Sequence, residues 1–255
     1  MKPKLVVLVV VLLIVAMVPA LVMAAGQAKP QRTGHVVLDM SKPYGPQLAA
    51  QLPSKGQTGS AGVAAPAARG PQANAVYGLL NESFEAPNWP STVGGAPGWG
   101  FDELGSPVGW DATDYMAKRG QYSLYSAGYN NDPFVNPYYD NDMESWAYTD
   151  MDLQGARRVQ IRFQFKSDTE FSFDAFLFCG SADGFWYDCY YHTGSTNDKW
   201  RLVQLDSKTD PILAGMLDSP FASFGFIFLS DGSVVDRGTF VDALRIRAWG
   251  PSPIN

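Results

Sequence analysis

Histidine and cysteine are nearly missing from this chain, with two of each in 255 residues. The only histidines are His35 and His192, and no HExxH, G-x-S-x-G or phosphate-loop pattern occurs. The usual signatures of zinc peptidases, serine hydrolases and nucleotide-dependent enzymes are therefore lacking. A glycosidase needs only two carboxylates, so the 25 acidic residues leave that route open, but the chain is read as non-catalytic. His192, beside Tyr190 and Tyr191, is expected at a strand rim. Lysine and arginine form no block, and the formal charge is −6. Nucleic acid is excluded as a partner, because its binding sites carry a basic footprint. Helical periodicity is also missing beyond the first 25 residues.

Those first residues have an organisation of their own. Lys2 and Lys4 precede the apolar run Leu5–Val18, then Pro19 and the small residues Ala20, Ala24 and Ala25. This is the pattern of a secretory signal peptide over residues 1–25. The rival reading is a retained anchor, since Leu5–Ala25 could just span ~30 Å of hydrocarbon. Either way the remainder lies outside the cytoplasm, secreted or at the cell surface, and once the signal is cleaved no membrane association is expected. Residues 26–75 are rich in Gly, Pro, Ala, Gln and Ser and read as a flexible linker; the apolar patch His35–Leu38 within them could dock on a partner or on the domain itself.

From Val76 to Trp249 the pattern changes to short strand-like runs separated by Gly, Asn and Asp turns, with residues 250–255 left as a tail. Arg158–Phe165 is the clearest, because Val159, Ile161, Phe163 and Phe165 alternate with Arg158, Gln160, Arg162 and Gln164. Further strands are predicted over Val76–Glu85, Gln121–Ala127, Ser145–Asp150, Glu170–Cys179, Phe185–Tyr191, Trp200–Asp206 and Ser223–Leu229. In Glu170–Cys179 the alternation puts Phe176 and Phe178 on the nominally outer face. The last run, Gly238–Trp249, places Asp242 in one row with Phe240, Leu244, Ile246 and Ala248 if side chains alternate throughout. A carboxylate in such a row must be paired, hydrogen-bonded or metal-bound. With 46% hydrophobic residues the chain can form one sizeable core, and strands at this spacing point to an all-β antiparallel sandwich, most simply a jelly roll.

Several motifs carry a resemblance. Asn81-Glu82-Ser83-Phe84-Glu85, Lys118-Arg119-Gly120-Gln121-Tyr122-Ser123 and Phe240-Val241-Asp242-Ala243-Leu244 resemble segments of the calcium-containing jelly-roll carbohydrate-binding modules and MAM-type domains. Tyr139–Trp146, Asp152–Ala156, Ser181–Gly184 and Leu229–Ser233 resemble the jelly rolls appended to immune inhibitor A-type secreted metallopeptidases and found in bacterial surface proteins. The resemblance implies a structural calcium held by Glu85, Asp242 and main-chain carbonyls around Lys118–Gly120, a ligand mix that suits Ca²⁺. The competing arrangement is a salt bridge from Asp242 to Lys118 or Arg119, with Glu85 in solvent.

Cys179 and Cys189 in an exported chain are expected to form a disulfide, but a tight turn over Gly180–Gly184 would set Cys179 opposite Phe185, beyond the reach of such a bond. A longer loop would bring the two together, so the pairing stays open. Aromatic residues in polar loops supply the remaining signal. Trp186, Tyr187, Tyr190, Tyr138 and Tyr139 are candidates for stacking on a sugar or a protein partner, whereas Trp99, Trp110 and Trp146 can simply plug the sandwich. Two functions follow as expectations: a glycan-binding module, or a structural and adhesive protein that self-associates or binds another extracellular protein.

Overall fold

Runs rich in Val, Ile, Phe, Tyr and Trp, cut by Gly, Asn and Asp, build strands and little else. The computed structural model describes residues 31–39, 75–85 and 98–250; the expected signal peptide, most of the linker and the tail lie outside them. The strands are β1 Gln31–Asp39, β2 Ala75–Glu82, β3 Trp99–Leu104, β4 Gly109–Thr113, β5 Ser123–Tyr129, β6 Glu144–Met151, β7 Arg158–Asp168, β8 Ala175–Ser181, β9 Trp186–Gly194, β10 Arg201–Asp206, β11 Ala222–Leu229 and β12 Gly238–Gly250. One sheet runs β1-β9-β8-β11-β6-β3 and the other β10-β7-β12-β5-β4, with β2 also on β12. All pairings are antiparallel, which makes the molecule a sandwich of jelly-roll type.

Between the sheets, Val159, Ile161, Phe163 and Phe165 of β7 meet Phe224, Phe226 and Phe228 of β11, with Trp99 and Trp110 in the same buried cluster. Those tryptophans fill the core and offer no ring to solvent. One end of the core is closed by a short helix, α1 Pro211–Met216, with proline in its first turn and Asp210 capping it through Leu213 N. Its six residues are too few to show a helical period in sequence. Ile212 and Met216 lie where a side chain on Gly180 would stand.

A second buried cluster covers the other face of the first sheet, where Trp146, Leu177, Cys179, Tyr187, Cys189, Tyr191 and Ile227 pack with Leu38. Its existence corrects two expectations. Residues 31–39 are not linker: β1 pairs along β9 from Gln31 opposite Gly194 to Asp39 opposite Trp186, and Leu38 is fully buried. A composition average over residues 26–75 hides this strand, because one alternating stretch is diluted by its Gly- and Pro-rich flanks. The strand expected over Glu170–Cys179 begins only at Ala175, since Asp174 N returns to Glu170 O in a turn that leaves Phe171 and Phe173 exposed. Phe176 and Phe178 face inward, where Phe178 lies opposite Phe226 of β11. Both faces of β8 are apolar, so alternation marked the strand without telling its inner side.

Cys179 and Cys189 form a disulfide, directly opposed on β8 and β9 with Cα atoms 4.1 Å apart. β8 runs on to Ser181 and β9 resumes at Trp186, so the connection Ala182–Phe185 is centred about two residues later than a turn over Gly180–Gly184 would be, which shifts the register and brings the cysteines face to face.

Candidate functional site

Asp242 owes its position to a β-bulge. Along β12, Val241 pairs with Phe165 and Asp242 with Gln164, but the next partner of Arg162 is Arg245. One extra residue is inserted, and Ala243 takes it up with φ of 55°. Strict alternation therefore fails here. Val241 points into the core opposite Leu124, Asp242 shares the outer side with Gln164, and Leu244 and Ile246 return inward. Asp242 does not stand in the apolar row.

It is buried all the same, because the segment Met116–Tyr122 closes over it. Lys118 N and Arg119 N donate to Asp242 Oδ2 at 2.7 and 2.8 Å, and Ala243 N donates to Oδ1. Phe240, on the same outer side, stacks on Tyr125 with ring centroids 4.3 Å apart. Glu85 reaches the same turn from just beyond β2, its carboxylate accepting from Gln121 N at 2.9 and 3.0 Å and from Tyr122 N at 3.1 Å. A Cβ on Gly120, which has φ of +66°, would overlap that carboxylate. The turn thus brings Glu85, Lys118, Gly120 and Asp242 together. The alternative salt bridge is absent: Lys118 and Arg119 serve Asp242 with main-chain amides, and among the described residues neither side chain pairs with it. Burial pushes Asp242 above the usual carboxylate range, the three amides pull it back, and the Glu85 charge adds to the rise.

The five aromatic candidates do not form one surface. Tyr187 is buried edge-on against Trp146, with centroids 5.6 Å apart. Tyr139 is buried and gives its hydroxyl proton to Asp174, while Tyr190 bonds Asp210 Oδ2 at 2.8 Å. Tyr138 and Trp186 are exposed but sit near opposite ends of β8, roughly 20 Å apart at about 3.3 Å per residue. What sequence reasoning missed is the company Trp186 keeps. Phe185, Trp186 and Phe221 are 66%, 55% and 72% exposed, the first two where the connection enters β9 and the third just before β11, and the two turns are joined by the Ser219 hydroxyl, which donates to Ala182 O. Asp183 Oδ1 takes the amides of Phe185 and Trp186, each at 2.9 Å, and Ser181 Oγ takes that of Gly184 at 2.8 Å. These amides, that of Trp186 first, hold the Asp183 carboxyl below its ordinary range. The loop is built firmly while its rings stay in water, although nothing in the spacing of Phe221 announced that it would join them.

At the other end of the sandwich Glu170, Asp174 and Asp231 each offer a carboxylate oxygen, all within 4.8 Å. Their oxygens already accept from Tyr139, Asp231 N, Ser233 and Val234 N, and burial pushes Asp174 up to about 7. His192 is not at a rim: it is buried against Phe165, and its Nε2 has no hydrogen-bond partner. Burial lowers it to about 4.

No protein-family model and no curated protein sequence matches the chain. Among solved structures it is similar in shape to the CBM22-1 xylan-binding domain from Paenibacillus barcinonensis, with 19% identity and a TM-score of 0.42 over 69% of this chain and 97% of that one. A cleaved adhesin domain of Lys-gingipain from Porphyromonas gingivalis shows 15% identity and a TM-score of 0.46, covering 67% and 98% respectively. TmCBM61, solved with β-1,4-galactotriose, shows 10% identity and a TM-score of 0.39, covering 58% and 86%. These are likenesses of general shape, and no site residue or ligand is transferred from them.

Proposed function

We propose that this protein is an exported, non-catalytic glycan-binding module. The observation that carries the reading is the group of exposed rings Phe185, Trp186 and Phe221 on loops braced by Asp183, Ser181 and Ser219. Leaving three large apolar rings in water costs solvation that burial would recover, so three of them on adjoining, braced turns mark a surface meant to be covered. A sugar ring suits it, because its apolar C–H face stacks on aromatic rings while nearby polar groups meet the hydroxyls. The Cys179–Cys189 disulfide agrees with an oxidising compartment outside the cytoplasm. A structural calcium belongs to the same proposal. Glu85 and Asp242 bring two carboxylates to one turn, among the described residues neither is in an ion pair, and each oxygen pair, with about four acceptor sites, is not filled by its amide donors. Bound there, a hard cation would supply the charge that the turn lacks.

The test is a glycan array probed with the full chain and with Trp186→Ala. Binding by the wild type, weakened about tenfold or more in the variant at an unchanged melting temperature, supports the reading; loss of one stacked ring is worth about 1–2 kcal/mol. Concentration-dependent association in light scattering, abolished by Trp186→Ala in a protein that binds no glycan, would replace it with docking between copies of the chain.

A further inference from the structure

The outer face of the second sheet carries charge that the fold does not explain. Arg162 of β7 lies directly opposite Arg245 of β12, and Arg247 lies opposite Gln160. All three arginines are exposed. Like charges set opposite each other across an antiparallel pair repel, and in a chain of net charge −6 carboxylates for relief are plentiful. Among the described residues, those placed here are engaged elsewhere, as Asp198 is with Lys166. Asp206, on β10, is taken up by Arg158 and by Gln160 Nε2 at 2.7 Å, and Asp242 is sealed under the Met116–Tyr122 segment. Arg245 has an amide partner, Asn81 Oδ1 at 3.0 Å, and among the described residues neither Arg162 nor Arg247 pairs with a carboxylate.

The register arranges these groups in a line. Gln204 of β10 is opposite Arg162, Arg162 opposite Arg245, and Arg245 opposite Asn81 of β2. Four strands at about 4.8 Å spacing give a strip of roughly 15 Å with guanidinium groups in the middle and carboxamides at the ends. A guanidinium fork takes a carboxylate or sulfate in two parallel bonds, and a carboxamide both donates to and accepts from hydroxyls. We propose that this strip is a second binding site, distinct from the ring cluster at Trp186, and that it takes an acidic polysaccharide bearing uronate or sulfate groups. An acidic sugar polymer presents that alternation of anion and hydroxyl, and its extended chain fits a flat sheet face. A nucleic acid is a poorer match, since no exposed ring in the strip would stack on a base. The proposal stands whether or not Trp186 binds a neutral sugar.

The experiment immobilises the full chain and passes over it polygalacturonate, dextran sulfate and uncharged dextran, with wild type, Arg162→Gln/Arg245→Gln and Trp186→Ala compared. Expected is binding of an acidic polymer and not of dextran, weakened about tenfold or more for each arginine removed and largely lost near 1 M salt, where the screening length is about 3 Å. Trp186→Ala should leave this binding unchanged. The double variant should melt no lower than wild type, because it loses a repulsion. A preference for polygalacturonate assigns carboxylate as the anion, and one for dextran sulfate assigns sulfate. Equal binding by wild type and the double variant, insensitivity to salt, or no binding of either acidic polymer overturns the proposal.

Discussion

Protonating a histidine walled in between two sheets requires either solvating a charge in an apolar layer or unfolding the layer. His192 is held down to about 4 by burial, against about 6.5 in an unfolded chain. A depressed histidine contributes stability that is present above the unfolded value and lost as pH falls from about 6.5 towards 4, an effect of up to roughly 3 kcal/mol. Asp111 and Asp174, both pushed up to about 7 by burial, work in the opposite direction: their contribution is whole below the unfolded carboxylate value and is lost as pH rises through 7. Denaturant titrations of wild type and His192→Leu between pH 7 and 4 separate these. The wild type should lose stability relative to the variant as pH falls, because only in the wild type does unfolding free an imidazole that takes up a proton while the buried one stays neutral; parallel curves would show that His192 does not titrate against the fold in this range.

At the scale of elements, β1 is held by one ladder and by the burial of Leu38 among Tyr187, Cys189 and Trp146. Leu38→Asp should free it, because a carboxylate there has no partner and its desolvation costs several kcal/mol. Hydrogen exchange should then rise over residues 31–39 while β7, β11 and β12 stay protected; unchanged protection of residues 31–39 would mean the ladder alone holds the strand. The difference between such elements and the central ones explains what could be read in advance. β7 and β11 were legible because their runs are long and every inner position is apolar. β3 and β4 were not, since both are short and carry glycine and polar residues, and β1 was not, since its apolar positions are few and lie within Gly- and Pro-rich sequence; the pairing of all three is fixed by partners distant in sequence. The bulge at Ala243 lies beyond any periodicity argument: a single inserted residue reverses the faces on either side of it, and nothing in Val-Asp-Ala-Leu marks where it falls. The residues of the Glu85–Asp242 turn were found through motif resemblance, while the ring cluster needed two loops to be brought together in space.

For the molecule as a whole, the Glu85–Asp242 turn joins the segment after β2 to the last strand of the sandwich. Glu85 follows β2, the amides of Lys118 to Tyr122 precede β5, and Asp242 lies within β12, which also pairs with β7. Because burial raises the Asp242 pKa, the ion-free protein is penalised as pH rises above the unfolded value of about 3.9, where the free chain would ionise. A cation needs the charged form and relieves both that penalty and the repulsion from Glu85. Calcium at a hundredfold over its Kd would stabilise the native state by about 2.7 kcal/mol, so chelation should lower the melting temperature of the wild type. Asp242→Asn tests the origin of that shift. It retains the shape but removes a charge and turns an amide donor toward Ala243 N, which itself needs an acceptor, so the variant should melt lower and respond little to chelator. Identical melting of the wild type with and without chelator, in protein shown by metal analysis to have been stripped, would leave the backbone amides as the whole of what holds the two carboxylates.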